Sequence, residues 1–193
     1  MERVEPKILC IIGCTKSKNI IKDTAQNVYS KSPLFRECLS ITKKLNADVL
    51  ILSSKYGLIS LDTLIEPYTD TWKEYKRMSR DMSKEERREI DKRNKESIVN
   101  IAPLVQNNSE KLKGYDRVII LAPARNSKNI FKTAKIDVSQ FEFWFEGALG
   151  SLDMTNHLKR VFNYGLEYAK DYSQQIRKQW KKPRRNKHGR QSR

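Results

Sequence analysis

The stretch KILCIIGCTKSK, residues 7–18, decides the fold: an apolar run rich in isoleucine ends in Gly-Cys-Thr and gives way to lysines. A short, continuous apolar run of this kind is typical of a strand buried on both faces, as in a parallel sheet. Three later runs have the same character and predict three more strands: ADVLILSS (47–54), DRVIILAP (116–123) and FEFWF (141–145).

Helix signals separate these four strands. Ser32-Pro33 suits an N-cap and a first turn, and Ser83-Lys-Glu-Glu86 has the spacing of a capping box. Further helices are expected around residues 127–133 and from Ser151. The alternation predicts a three-layer α/β fold, with a four-stranded, mostly parallel sheet of order 2-1-3-4 and helices on both faces. Ligands of such sheets bind outside the carboxyl ends of the strands, where the order reverses between strands 1 and 3.

The charge of the chain is strongly positive. Its 193 residues carry 39 Lys and Arg against 23 Asp and Glu, a net charge of +16. Nine basic residues and no acid lie between Arg177 and Arg193, which leaves +7 on the rest. We expect one α/β domain over residues 1–175 and a basic tail over 176–193 that is disordered when free. Such an arm would bind phosphates; a solubilising tail or a localisation signal is the alternative.

Cysteine and histidine usage excludes several classes of protein. Cys10, Cys14 and Cys38 are an odd number and cannot close a disulfide framework, and His157 and His188 complete no zinc-site spacing. No stretch reaches the roughly 20 apolar residues that span a bilayer, and the first residues lack a signal-peptide core. We therefore expect a cytoplasmic protein without metal or cofactor. Its expected partner is DNA, or RNA, rather than a membrane or an obligate protein subunit.

The loop after strand 1 is a candidate anion site. Thr15, Lys16, Ser17 and Lys18 offer two hydroxyls and two ammonium groups, which suit a phosphate. The loop is not a Walker A loop, because the Gly-x4-Gly-Lys spacing is missing. A polar loop with solvated lysines is the alternative.

The loops after strands 2 and 3 carry further candidates. Lys55 would bind phosphate and Tyr56 would stack on a base, unless Tyr56 is a core residue beside a solvated lysine. Arg125 has a guanidinium fork that suits phosphate, and Asn126 has an amide able to read a base edge.

An irregular loop is expected over residues 64–71, and it supplies two carboxylates beside a tyrosine. Glu66 or Asp70 would orient a water and stabilise a cationic sugar, the task of a carboxylate in N-glycosidic hydrolysis. Tyr68 would stack on a base. The alternative is that one of these acids only caps the following helix.

Five sequence blocks, taken in order, carry a resemblance to a known family. The blocks are Cys14-Thr-Lys-Ser-Lys18, Tyr29 with Ser32 and Phe35, Leu52–Leu58 (LSSKYGL), Ile65-Glu-Pro-Tyr68 and Gly147–Leu158. They resemble a family of small bacterial, archaeal and phage proteins with Cys-[Ser/Thr]-x-x-Lys and Leu-Ser-[Ala/Ser]-Lys-[Tyr/His]-Gly-Leu motifs. That family is similar at fold level to uracil-DNA-glycosylase-like and YaaA-like proteins, which implies the handling of nucleobases.

The resemblance and the basic charge favour a metal-independent DNA glycosylase that hydrolyses the N-glycosidic bond of a modified base. A hypermodified or glucosylated cytosine of phage DNA as the target would make the protein an antiviral defence. The base would flip out of the duplex before hydrolysis. Two alternatives remain: a non-catalytic nucleic-acid-binding module, and an enzyme of modified tRNA base or nucleotide metabolism.

Overall fold

The computed structural model describes residues 5–68, 83–146, 148 and 151–165. In chain order the elements are β1 (Ile8–Gly13), β2 (Asp23–Thr24), α1 (Ala25–Tyr29), α2 (Pro33–Lys44), β3 (Asp48–Ser53), β4 (Gly57–Ser60), β5 (Leu64–Ile65), α3 (Lys84–Asn107), a 3-10 helix (Ser109–Leu112), β6 (Arg117–Leu121), α4 (Ala124–Thr133), β7 (Phe141–Phe143) and α5 (Ser151–Tyr164). The predicted tail, 176–193, and Asp70 lie outside the described residues.

The main sheet has five strands in the order β4-β3-β1-β6-β7. The central strand β1 pairs in parallel with both neighbours, so that Ile11 lies opposite Leu50 on one side and Ile120 on the other. β7 pairs in parallel with β6, and β4 runs antiparallel to β3. The four predicted strands are β1, β3, β6 and β7, and they lie in the predicted order.

The predicted number of strands is wrong, because β4 adds a fifth. The chain turns back directly after β3, and Gly57, with φ of +71°, pairs with Ser53 to start the returning strand. The sequence KYGL, residues 55–58, reads as a loop after the predicted strand because β4 has only four residues, Gly57–Ser60. The predicted loop at 64–71 likewise begins as a short strand, β5, which pairs with β2.

Helices cover both faces of the sheet, as predicted. Alternate side chains of β1 enter two separate apolar clusters, as a strand buried on both faces requires. Cys10 packs in the cluster that includes side chains of α1, α2 and α5. Ile11 packs in the cluster that includes α3 and α4. The predicted fold class, α/β with helices on both sides of a mostly parallel sheet, is confirmed.

Serine caps fix two of the helix starts that the sequence predicts. The Ser32 hydroxyl accepts a hydrogen bond from the Phe35 N–H at 3.4 Å. At the start of α3, the Glu86 N–H donates to the Ser83 hydroxyl at 3.1 Å and the Ser83 N–H donates to the Glu86 carboxylate at 2.8 Å, a complete capping box. No helix within the described residues is long and apolar enough to cross a membrane.

Candidate functional site

The polar residues of the site gather where β1 and β3 end. The Cys14 N–H donates to the Leu52 carbonyl at 3.0 Å, and this hydrogen bond connects the chain leaving β1 to the last residues of β3. The Cys14 thiol lies 3.4 Å from the Ser54 hydroxyl. Because the two strands are parallel, their carboxyl ends meet at one edge of the sheet, and the loops that follow them come together there.

The Ser53 hydroxyl has four hydrogen-bond partners at this edge of the sheet. The Ser53 side chain is fully buried, and its hydroxyl oxygen accepts the N–H groups of Lys55 at 3.2 Å and Tyr56 at 3.1 Å. The same hydroxyl lies 3.3 Å from the Tyr29 hydroxyl and 2.8 Å from the Tyr68 hydroxyl. Ser53 thus fixes the turn into β4 and at the same time holds two tyrosines.

Two tyrosine hydroxyls meet beside Ser53. The Tyr29 and Tyr68 oxygens are 2.6 Å apart, and the Ser54 hydroxyl donates to Tyr68 at 3.5 Å. Burial raises the pKa of Tyr29 and that of Tyr68, so both phenols are neutral at physiological pH. We call Tyr29, Ser53, Ser54 and Tyr68 the hydroxyl cluster.

Two lysines approach the aromatic ring of Tyr68. The Lys18 ammonium lies 4.2 Å from that ring's centroid and 5.8 Å from the ring of Tyr29. The Lys55 ammonium lies 5.8 Å from the Tyr68 ring and 5.2 Å from that of Tyr56. These distances fall in the range of cation–π attraction. Lys18 is buried, at 8% exposure, whereas Lys55 is exposed.

The predicted stacking residues Tyr56 and Tyr68 lie together. Their ring centroids are 5.6 Å apart in an edge-to-face arrangement. The Tyr56 hydroxyl donates to the backbone carbonyl of Glu66 at 3.2 Å, which fastens the loop after β5 to the turn after β3. Both rings are only half-buried, so aromatic surface at this edge stays open to a ligand.

The rest of the predicted anion loop connects β1 to Lys18. The Thr15 hydroxyl donates to the Ser17 carbonyl at 3.2 Å, and Lys16 and Ser17 are exposed. Their backbone thus leads from the last strand residue to a lysine that already lies against the hydroxyl cluster.

The Glu66 carboxylate is a surface group. It lies 3.7 Å from the Lys22 ammonium, and its side chain is 67% exposed. Asp70, the other predicted catalytic acid, is outside the described residues. Among the described residues, no group of three or more His, Cys, Asp or Glu side chains is arranged to hold a metal ion.

Arg125 and Asn126 start a helix instead of lying in a loop. α4 begins at Ala124, so both residues are in its first turn, where Arg125 is exposed and Asn126 is buried at 7% exposure. The apolar side chains of α4 pack in the cluster on the sheet face opposite α1 and α2. The contacts described above join the loops after β1 and β3, and Arg125 and Asn126 take no part in them.

Sequence reasoning missed most of the hydroxyl cluster as a site. The pair Ser53-Ser54 carried a usable signal, since two hydroxyls at the carboxyl end of a buried parallel strand reach a ligand edge. Tyr29 carried only the signal of its sequence block with Ser32 and Phe35, because its contact with Ser53 depends on the packing of a five-residue helix against β3. His157 is buried in the core beside the ring of Phe145, and burial lowers its pKa to about 4.

The fold and this edge define an α/β protein with a site of hydroxyls, aromatic rings and lysines at the carboxyl ends of two parallel strands. The chain belongs to a family of unknown function, DUF6884, whose model matches residues 9–149. The matched region contains the whole hydroxyl cluster together with Lys18 and Lys55. No curated protein matches the chain, and no solved structure does.

Proposed function

We propose that this protein is a DNA glycosylase that removes a modified base, and that the hydroxyl cluster with Lys18, Lys55 and Tyr56 holds the target nucleotide. The observation that carries the proposal is the convergence of two lysines on the ring of one half-buried tyrosine, Tyr68. Bases stack on aromatic rings, and ammonium groups neutralise phosphates. A site that combines both fits a nucleotide better than a neutral metabolite.

Neutral hydroxyls at this edge suit recognition of a base. A phenol that keeps its proton can both donate and accept a hydrogen bond, as the edges of a nucleobase or a sugar-modified base require. Tyr29 and Tyr68 are in that state at physiological pH, and burial raises the pKa of each further above the ordinary tyrosine value. The half-buried residues Ser54 and Tyr68 also offer hydroxyls that suit a base with a hydroxylated substituent, such as a glucosylated cytosine.

Hydrolysis would proceed at the C1′ carbon of the flipped nucleotide. The C1′–N bond breaks and its electron pair goes to the departing base, while the oxygen of a water bonds to C1′. One proton of that water passes to the general base and from there to the departing base, and the other stays on the new C1′ hydroxyl. Asp70 is our first choice for the general base, since it follows Tyr68 by two positions in the chain. Glu66 is the second, and Asn126 is proposed to read the base. Orientation of a water by one carboxylate is worth about 10²–10⁴ in rate.

The decisive experiment is mass spectrometry of bases released from several natural phage DNAs, followed by alkali treatment to reveal abasic sites as strand breaks. We expect one class of modified base to be released while the untreated backbone stays intact. Asp70→Asn should lower the rate by about 10² or more while DNA binding is kept. Glu110→Gln is the matched control, because Glu110 is an exposed acid ahead of the amino end of β6. If none of these DNAs releases a base, the proposal is contradicted.

A second candidate function is non-catalytic nucleic-acid binding. The observation that favours it is the ion pair of Glu66 with Lys22, which leaves that carboxylate at the surface. In that case Glu66→Gln and Asp70→Asn keep DNA binding, and no base is released from any DNA. An enzyme acting on a free nucleotide or a tRNA base would instead keep its activity when the basic residues after Arg177 are removed.

A further inference from the structure

Two isoleucines, Ile20 and Ile21, are exposed to solvent in a bend between Lys18 and β2. Ile20 is 87% exposed and Ile21 is 72% exposed, and no other large apolar side chain among the described residues is as exposed as Ile20. We call residues 20–21 the isoleucine tip. Exposed apolar side chains that lie next to one another mark interaction sites more often than isolated ones do.

The isoleucine tip is anchored on both sides. Before it, the Asn19 N–H donates to the Val28 carbonyl at 2.8 Å, and the Asn19 side-chain amide donates to the Asn27 carbonyl at 2.6 Å. After it, the Asp23 carboxylate accepts hydrogen bonds from the Asn27 side-chain amide at 3.1 Å and from the Thr24 N–H at 2.6 Å. The fold therefore presents these two side chains on fixed backbone, which lowers the entropy lost when they bind a partner.

Two exposed lysines flank the isoleucine tip, and one of them is paired with an acid, since the Lys22 ammonium lies 3.7 Å from the Glu66 carboxylate. Lys16 and Lys22 lie four residues before Ile20 and one residue after Ile21, and both are exposed. A further apolar side chain, Leu64, is 68% exposed and pairs with Thr24 in the neighbouring short strand. An apolar tip between two lysines matches the interior of a nucleic-acid duplex, where apolar bases lie between two rows of phosphates.

The isoleucine tip is also close to the candidate site. Ile20 is two residues beyond Lys18, whose ammonium lies over the Tyr68 ring. Two residues span at most about 7 Å between Cα atoms, and nucleotides of one strand repeat every ~3.4 Å along the duplex axis. A nucleotide at the site therefore brings the base pairs next to it within reach of Ile20 and Ile21.

We propose that Ile20 and Ile21 form a wedge that enters the base stack of duplex DNA, beside the nucleotide that leaves the stack for the site. Extrusion of a base leaves an apolar gap, and apolar side chains inserted between base steps stabilise the opened duplex. The two isoleucines fill this gap, while Lys16 and Lys22 contact the flanking phosphates. This inference rests on the proposed function in one respect, namely that the protein acts on a base taken out of a duplex.

The test compares the full-length double variant I20A/I21A with the double variant V99A/L152A. Val99 and Leu152 are exposed aliphatic residues at 61% and 75%, so the control removes similar side chains from other surfaces. The probes are a duplex with one abasic site and the same duplex intact, measured at one salt concentration. We expect the natural protein to prefer the abasic duplex, and I20A/I21A to lose about tenfold of that preference, the effect of leaving one isoleucine unburied. V99A/L152A should keep it.

Several outcomes would overturn the wedge. They are equal affinity of the natural protein for both duplexes, an unchanged preference in I20A/I21A, and an equal loss in V99A/L152A. A loss of binding to anionic lipid vesicles in I20A/I21A, with the DNA preference intact, would assign the isoleucine tip to a membrane surface instead.

Base release separates the wedge from the proposed function. If no DNA releases a base while the isoleucine-dependent preference persists, the glycosylase assignment fails and the wedge stands. If a base is released and I20A/I21A behaves in both assays like the natural protein, the wedge fails and the glycosylase assignment stands.

Discussion

Tyr68 connects more of the candidate site than any other side chain discussed above. Its hydroxyl lies within hydrogen-bond distance of Tyr29, Ser53 and Ser54, and its ring lies under two lysine ammonium groups. Such a residue has two separable roles. The hydroxyl stabilises the buried polar cluster, and the ring offers a surface to lysines and ligand alike.

Removal of the Tyr68 hydroxyl should therefore destabilise the fold. Tyr68→Phe leaves the buried Tyr29 and Ser53 hydroxyls with one partner fewer, and we expect a loss of about 1–3 kcal/mol in the free energy of unfolding. Tyr56→Phe is the matched control, since the Tyr56 hydroxyl bonds one backbone carbonyl in an exposed position, and we expect it to cost less than about 1 kcal/mol. Urea unfolding measures both, and equal losses would contradict the buried role of Tyr68.

His157 predicts a pH dependence of stability. Burial lowers the pKa of the folded-state imidazole from 6.5 to about 4, so the unfolded chain binds a proton between these values while the folded chain does not. Above about pH 6.5 the contribution of His157 to stability is complete. It is lost as the pH falls toward 4, by up to roughly 1.4 kcal/mol per pH unit.

The measurement is the free energy of unfolding at several pH values between 4 and 7, on the natural protein and on His157→Gln. We expect the difference between the two to shrink as the pH falls, because glutamine does not titrate. Parallel curves would show that the buried imidazole is not the titrating group.

For single residues, the sequence predicts a role in the site only where that role follows from neighbouring residues in the chain. Lys55 and Tyr56 could be predicted, because a lysine and an aromatic residue directly after a buried strand reach the ligand edge wherever the strand ends. Tyr29 could not, since its part in the site depends on a 2.6 Å contact with a residue 39 positions later. The burial of a lysine is equally non-local: Lys18 is 8% exposed, and its ammonium lies near the rings of Tyr29 and Tyr68, which are 11 and 50 positions later in the chain.

At the scale of elements, the edge strand β4 shows the same limit. Strands β1, β3 and β6 could be predicted because each is a continuous apolar run. β4 has four residues and a pattern that fits a loop, and it forms because Gly57 turns the chain back onto β3. Leu104 of α3 then closes over the turn: a Cβ at position 57 would lie 2.7 Å from the Leu104 Cβ and 3.0 Å from its carbonyl carbon.

Gly57→Ala should therefore lower the free energy of unfolding by more than the strain of a positive φ alone. Gly114 has a similar φ, +77°, and open space where a Cβ would lie, so Gly114→Ala isolates the backbone strain, about 1–2 kcal/mol. Gly57→Ala adds the collision with α3, and we expect it to lower the free energy of unfolding by at least about 1 kcal/mol more. Thermal or urea unfolding of the two variants measures this difference. Equal effects would mean that α3 shifts without cost.

For the whole molecule, the order of the strands can be predicted from the sequence, whereas the position of the candidate site cannot. Right-handed crossovers between parallel strands leave few ways to arrange four β-α units, so the relative order of β3, β1, β6 and β7 follows from their sequence in the chain. The site depends on which loops after the strands touch, and the described contacts join those after β1 and β3. The predicted switch point lies at the neighbouring junction of β1 and β6, where Gly13 closely approaches Ala122, and its use as a ligand site stays a prediction.

The net charge of +16 predicts how the whole molecule responds to salt. Binding to duplex DNA should weaken steeply between roughly 50 and 200 mM salt, since each neutralised phosphate releases counterions. Replacing the nine basic residues from Arg177 to Arg193 by glutamine should flatten the plot of log affinity against log salt by several units, with about 8 as the limit. Fluorescence anisotropy titrations give both slopes. Identical slopes would show that the basic residues from Arg177 to Arg193 do not contact the DNA phosphates.

The central position of β1 determines how the molecule opens. Its amides are covered by a partner strand on either side, and deuterium can reach them only when the sheet as a whole comes apart. The outermost strands, β4 and β7, have one neighbour each and should exchange their protons sooner. Because Thr15–Lys18 leaves directly from the slowest-exchanging strand, we expect this loop to hold its place when β4 opens, whereas Lys55 and Tyr56, which lead into β4, are released with that strand.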